Sequence, residues 1–167
     1  FAMGVFDFRE EQFFLARDFA GIKPLFFGFD QKRVVFASQF DQVTKHPAFR
    51  DKRVNAEVLK VYLEQHYVPA PFGFLTDTFQ VRPGEIICFS KDGKVQKEIY
   101  WELPLIPNQP VKRLEDALLL VGEELKQSVK DEMLADVPLG SFLSGGVDSP
   151  LVTYLAQSQV QESLKSF

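Results

Sequence analysis

Leu143-Ser144-Gly145-Gly146-Val147-Asp148-Ser149-Pro150 reads as a strand running through an S-G-G-x-D-S loop into a helix. Gly145 and Gly146 have no Cβ, so the backbone can turn tightly and aim N–H groups at an anion, and Ser144 and Ser149 add hydroxyl donors. Ser149 suits the helix N-cap and Pro150 the first helical position, which brings the positive end of the helix dipole to the same place. Asp148 would repel a phosphate unless a cation lay between them, so the pattern implies Mg²⁺ bridging Asp148 to phosphate oxygens. The competing reading is an ordinary strand-to-helix turn in which Asp148 caps the helix. Residues 137–143 form a short apolar run without helical spacing, as expected of a parallel strand buried on both faces, and ligands in open α/β sheets bind at the C-terminal ends of such strands. The G-x-x-x-x-G-K-[ST] spacing of the other common phosphate loop is absent.

Before this strand, Leu114, Ala117, Leu118, Val121, Leu125, Val129 and Met133 make one stripe at helical spacing, opposed by Lys112, Glu115, Asp116, Glu123, Lys126 and Lys130. The stripe is expected to be core packing. Residues 103–110 carry three prolines, so an extended linker is placed at 105–111, between one domain at 1–104 and the start of another at 112–167. The second region holds a helix, a strand, the loop, a helix and, at Leu164-Lys165-Ser166, the opening of a further strand. That set cannot close an α/β domain, so the chain reads as a fragment.

Residues 1–104 read differently. Residues 5–8 and 13–16, and again 25–29 and 34–37, form hairpins around polar four-residue turns, and their bulky apolar runs imply sheets covered on both faces, hence a sandwich. Asn55 can cap a helix with Val58, Leu59, Tyr62 and Leu63 along one side, ending before Pro69. A further hairpin runs from 85–89 to 95–100 with its turn at 91–94. Arg17-Asp18 is either a surface pair or a tie at the junction of sheet and loop.

A net charge of −4 with no basic run gives no electrostatic case for nucleic acid or an anionic membrane. No apolar run approaches the length of a transmembrane helix, and no signal-peptide pattern is present. Cys88 is the only cysteine, which excludes a disulfide framework and fits a reducing cytoplasm; in its β-like run it is expected to be a buried structural thiol. His46 reads as a loop residue and His66 as a helix-end residue.

The stretch from Pro138 to Ser149 resembles the pyrophosphate loop of the glutamine-hydrolysing asparagine synthetases, members of the ATP-pyrophosphatase superfamily. Ala16-Arg17-Asp18-Phe19-Ala20-Gly21-Ile22-Lys23-Pro24-Leu25 and Phe36-Ala37-Ser38 resemble segments of their N-terminal glutaminase domain, and Tyr67-Val68-Pro69-Ala70-Pro71, Arg82-Pro83-Gly84 and Tyr100-Trp101 follow in the family order. The resemblance implies an α+β sandwich, part of an N-terminal-nucleophile glutaminase domain, followed by the start of an α/β parallel-sheet ATP-pyrophosphatase domain. It implies a ligase that uses ATP and Mg²⁺ to activate the aspartate side chain as an acyl-adenylate, with nitrogen from glutamine or ammonia, and a possible homodimer. Leu143 would contact the adenosine side, Ser144, Gly145, Gly146 and Ser149 the pyrophosphate, and Asp148 the metal. No glutaminase catalytic residue is expected within 1–167, because that family's nucleophile is an N-terminal cysteine and Cys88 is internal.

Three positions depart from the family pattern: Gln39 stands for Glu, Phe19 for a basic residue and Pro150 for a second Ser. Gln39 and Phe19 leave open a relative that amidates or cyclises another carboxylate, as β-lactam synthetases do. A non-catalytic interaction module is the third alternative.

Overall fold

The computed structural model describes residues 1–104, 111 and 113–167, and the chain forms two compact units, residues 1–105 and 106–167. The linker expected at 105–111 lies, apart from Val111, outside the described residues.

In the first unit the strands are Ala2–Asp7 (β1), Gln12–Arg17 (β2), Phe26–Phe29 (β3), Val34–Ala37 (β4), Thr78–Gln80 (β5), Glu85–Ser90 (β6) and Val95–Ile99 (β7), with helices Phe40–Lys45 (α1) and Ala56–Gln65 (α2). They form two antiparallel sheets, one of order β1-β2-β6-β7 and one of order β4-β3-β5. The polar hairpin turns are held by carboxylates. Asp7 accepts the N–H groups of Arg9 and Glu10, and Asp30 those of Lys32 and Arg33, the local bonding that suits Asp to turns. In the third turn Asp92 accepts from the Ser90 hydroxyl, and the Lys94 ammonium leads in lowering its carboxyl pKa to about 2.

Alternation along β6 sends Ile87 and Phe89 inward, where they meet Leu15 from β2 and Phe27 from β3. Phe89 sits 5.8 Å from Phe27 and 5.3 Å from Phe29, centroid to centroid, joining the two sheets. Each such fully buried side chain stabilises the fold by about 1.5–3 kcal/mol. Asn55 caps α2, accepting from Glu57 and Val58. One expectation needs correction here. The outer sheet is not covered on both faces, since Met3, Val5 and Phe6 stay exposed. The α2 helix forms as expected, with only Val58 of its stripe buried. The apolar alternation sets which residues share a face, and these faces have no covering layer among the described residues.

The second unit comprises Leu114–Glu132 (α3), Gly140–Ser141 (β8), Asp148–Gln157 (α4) and Lys165–Ser166 (β9). β8 pairs in parallel with β9 through Gly140↔Lys165 and Ser141↔Ser166. The strand expected over 137–143 is therefore shorter, and Phe142, 85% exposed, and Leu143 are not buried on both faces. Its one described neighbour, β9, cannot bury both faces. The α3 helix forms where its periodicity predicts, but no residue of it is buried and Leu114 is 71% exposed. Only Leu125, Val129 and Met133 of the stripe turn towards Leu139, Val152 and Ala156, around an open cavity of about 360 Å³. Among the described residues, no helix is long and apolar enough to cross a membrane.

Candidate functional site

The loop at 142–147 joins the end of β8 to the start of α4, and Leu143, Ser144, Gly145, Gly146, Asp148 and Ser149 all fall along this turn. The parallel ladder carries it outward: Phe167 N–H donates to the Ser141 carbonyl at 3.0 Å, and Leu143 N–H donates to the Phe167 carbonyl at 2.8 Å. A Cβ built on Gly145 meets nothing within 4 Å, and one on Gly146 meets only the Ser144 Oγ at 3.4 Å. The space over the glycines is open to a ligand.

The helix start differs from expectation. Val147 is the N-cap, with no side-chain cap bond, so Ser149 and Pro150 sit second and third in the helix rather than at the cap and the first position. The physical reason is a competing bond. The Ser149 Oγ accepts the Ser144 N–H at 2.8 Å and lies 2.7 Å from the Ser144 Oγ, so it closes the loop instead of capping the helix. Pro150 is tolerated because the N–H groups of the first turn have no intrahelical acceptor.

This closure leaves a definite donor capacity. Ser144 Oγ also accepts the Gly146 N–H at 3.3 Å. Each hydroxyl carries one proton, and one of the two is spent between the serines. Whichever serine donates, the other keeps its proton for an outside acceptor. Asp148 stands exposed in the first turn, and among the described residues no group of three or more His, Cys, Asp or Glu could hold a metal. The donor set fits Mg²⁺ only in the form that keeps waters and phosphate oxygens and takes one or two carboxylates from the protein.

Thr153, absent from the sequence-based candidates, belongs to this network. Its Oγ1 donates to the Ser149 carbonyl at 2.7 Å and lies 2.7 Å from the Ser141 Oγ. Its position four residues after Ser149, on the same helix face, was the available signal.

In the first unit, motif segments distant in sequence meet at one junction. Arg17 is buried and its guanidinium donates to the carbonyls of Lys23 at 2.9 Å, Val81 at 2.9 Å and Gly21 at 2.8 Å. Burial pulls its pKa below the ordinary value, with the Asp18 charge acting the other way. Asp18 accepts the Gly21 N–H at 2.6 Å through its carboxylate, and its carbonyl accepts the Gly84 N–H at 3.0 Å. The Tyr100 hydroxyl donates to the Arg17 carbonyl at 2.8 Å. Arg17 and Asp18 thus form a buried tie, not a surface pair. Phe19 packs on Trp101 at 5.2 Å. Cys88 is half-buried and donates weakly to Gln12 Oε1 at 3.6 Å, and burial pushes its thiol pKa up, the state of an unreactive thiol. His46 and His66 are the C-caps of α1 and α2.

Residues 1–101 match the glutamine amidotransferase domain family and residues 120–167 the asparagine synthase family. The chain is 32% identical over 168 residues to asparagine synthetase [glutamine-hydrolyzing] 1 of Bacillus subtilis, covering 100% of this chain and 26% of that protein. It is 30% identical over 156 residues to putative asparagine synthetase [glutamine-hydrolyzing] 2 of Methanocaldococcus jannaschii, covering 90% of this chain and 29% of the relative. Amidase chry2 of Gibberella zeae is 27% identical over 169 residues, covering 99% and 24%. The chain spans about a quarter of the length of these relatives. It belongs to the glutamine amidotransferase domain family.

Proposed function

We propose that this member of the glutamine amidotransferase domain family is part of a glutamine-hydrolysing asparagine synthetase. In this reading residues 1–104 are the C-terminal part of its glutaminase-type domain, and residues 112–167 open a parallel-sheet domain that binds ATP. The observation that carries the reading is the loop after β8, where the space over Gly145 is open and one serine proton is unspent, in the stretch that matches the asparagine synthase family.

The chemistry follows from charge. A substrate carboxylate attacking the α-phosphate of ATP forms an acyl-adenylate, the bond to the β-phosphate breaks, and pyrophosphate leaves with the growing negative charge. Ammonia from glutamine then displaces AMP and gives the amide. Donors already aimed at the β- and γ-phosphates stabilise charge that increases in the transition state, which is where binding energy accelerates a reaction. The Ser144 or Ser149 hydroxyl and the Gly145 N–H would supply those donors, with Gly146, whose N–H is held by Ser144 Oγ, leaving room for the pyrophosphate, and Leu143 would line the adenosine side. Asp148 would hold Mg²⁺, which when bound neutralises phosphate charge. Asp148 itself contributes an exposed carboxylate in the first turn of α4.

The acceptor carboxylate is proposed to be that of aspartate, and the site of action the cytoplasm. A second reading, another carboxylate, has specific support in the similarity to a protein named an amidase and in Phe19, whose ring is committed to Trp101 where the family pattern has a charge. The deciding experiment is aspartate-dependent pyrophosphate release by the full-length protein with glutamine or ammonia supplied. Release stimulated by aspartate supports asparagine formation. Release at background with aspartate but raised by another carboxylate overturns the substrate and keeps the ligase.

A further inference from the structure

We propose that Thr153 is a positioning residue for the loop, setting the place of the Ser149 hydroxyl from a hydroxyl chain anchored on strand β8. The proposal rests on the reading of the loop as a pyrophosphate site. Thr153 has a single hydroxyl proton, and the Ser149 carbonyl takes it at 2.7 Å. The 2.7 Å contact with Ser141 therefore runs the other way, with the Ser141 hydroxyl donating to Thr153 Oγ1. One side chain thus joins the strand to the backbone of Ser149, and the hydroxyl of that same Ser149 lies 2.7 Å from Ser144 at the far side of the glycines.

Ser141 and Thr153 are both half-buried, so water competes less for these bonds than for those of the exposed loop. The strand is two residues long and the loop's glycines have little to lean on. Without Thr153 Oγ1, the first turn of α4 keeps its backbone bonds but loses its side-chain link to β8, and Ser149 can drift relative to Ser144. Misplacement of this kind lowers rate more than it lowers stability.

The test compares Thr153→Val, which keeps shape and removes both bonds, with Thr153→Ser, which keeps both, in the full-length protein. Pyrophosphate release, glutamine hydrolysis and the thermal shift on adding pyrophosphate are measured for each. Thr153→Val should lower kcat for pyrophosphate release about tenfold and shrink the pyrophosphate shift, while glutamine hydrolysis stays unchanged; Thr153→Ser should stay within about threefold of the parent. Wild-type kcat and thermal shift in Thr153→Val, or equal impairment in Thr153→Ser, would overturn the proposal. If Thr153→Val does not fold, Ser141→Ala removes the inter-element bond from the strand side and must show the same split; parental kinetics in that variant would overturn the proposal too. Asp148→Asn serves as the control on the underlying reading. If it is also unimpaired, the pyrophosphate site itself is wrong; if it alone is impaired, the site stands and the role of Thr153 falls.

Discussion

Gly84 and Gly145 occupy turns in the two units and meet opposite surroundings. Gly84 sits at φ +70° with the Trp101 carbonyl oxygen 2.2 Å from where a Cβ would be, and its own carbonyl takes the Tyr100 N–H at 2.9 Å. Gly145 has nothing within 4 Å. The first glycine is required by the protein's own packing, because only a residue without a side chain lets β6 and the segment after β7 approach so closely. The second is unexplained by packing within its unit, which is what a loop reserved for a ligand's phosphates would show. Openness alone would not suffice, since Gly122 on the exposed α3 helix also has nothing within 4 Å. At Gly145 it coincides with the serine closure and Asp148.

The contrast can be broken or sharpened by substitution. Arg17→Met should have the largest effect on stability, because the buried Val81 carbonyl and the partly buried Lys23 and Gly21 carbonyls lose their donor together; a loss of about 3–4 kcal/mol is expected in urea unfolding of the full-length protein. A shift under about 1 kcal/mol would show that water replaces the guanidinium and that the junction is not a buried tie. Gly84→Ala comes next, at about 2–3 kcal/mol, from the positive φ and the clash with the Trp101 carbonyl. Gly145→Ala should change stability by less than about 0.5 kcal/mol, yet raise the KM for ATP, because the new methyl occupies the open space. Equal stability losses at the two glycines would erase the distinction between them.

How far the sequence revealed this arrangement differed by feature. The three hairpins were legible because their turns are local, each with an aspartate bonding to N–H groups within a few residues. β5 and α1 were not. Thr78–Gln80 is three residues long and becomes a strand through pairing with β3, a long-range event with no periodicity to show it. The α3 stripe announced a helix, but the core packing expected of it is not found among the described residues, since periodicity specifies a face and not its cover. At the loop, the residue types were legible and their jobs were not all so. Ser149 has the chemistry of a cap, and its bond to Ser144 won. Arg17 could be placed at the junction only once Lys23, Val81 and Tyr100 were seen around it.

The central claim is a division of labour, with nucleotide chemistry at the loop after β8 and glutamine hydrolysis elsewhere in the protein. Asp148→Asn in the full-length protein tests it most directly, with pyrophosphate release and glutamine hydrolysis assayed on the same preparation. The account predicts a loss of at least ~3 kcal/mol of transition-state stabilisation, more than about a hundredfold in pyrophosphate release, with glutamine hydrolysis largely intact. Undiminished pyrophosphate release, or an equal loss of both activities, would contradict it.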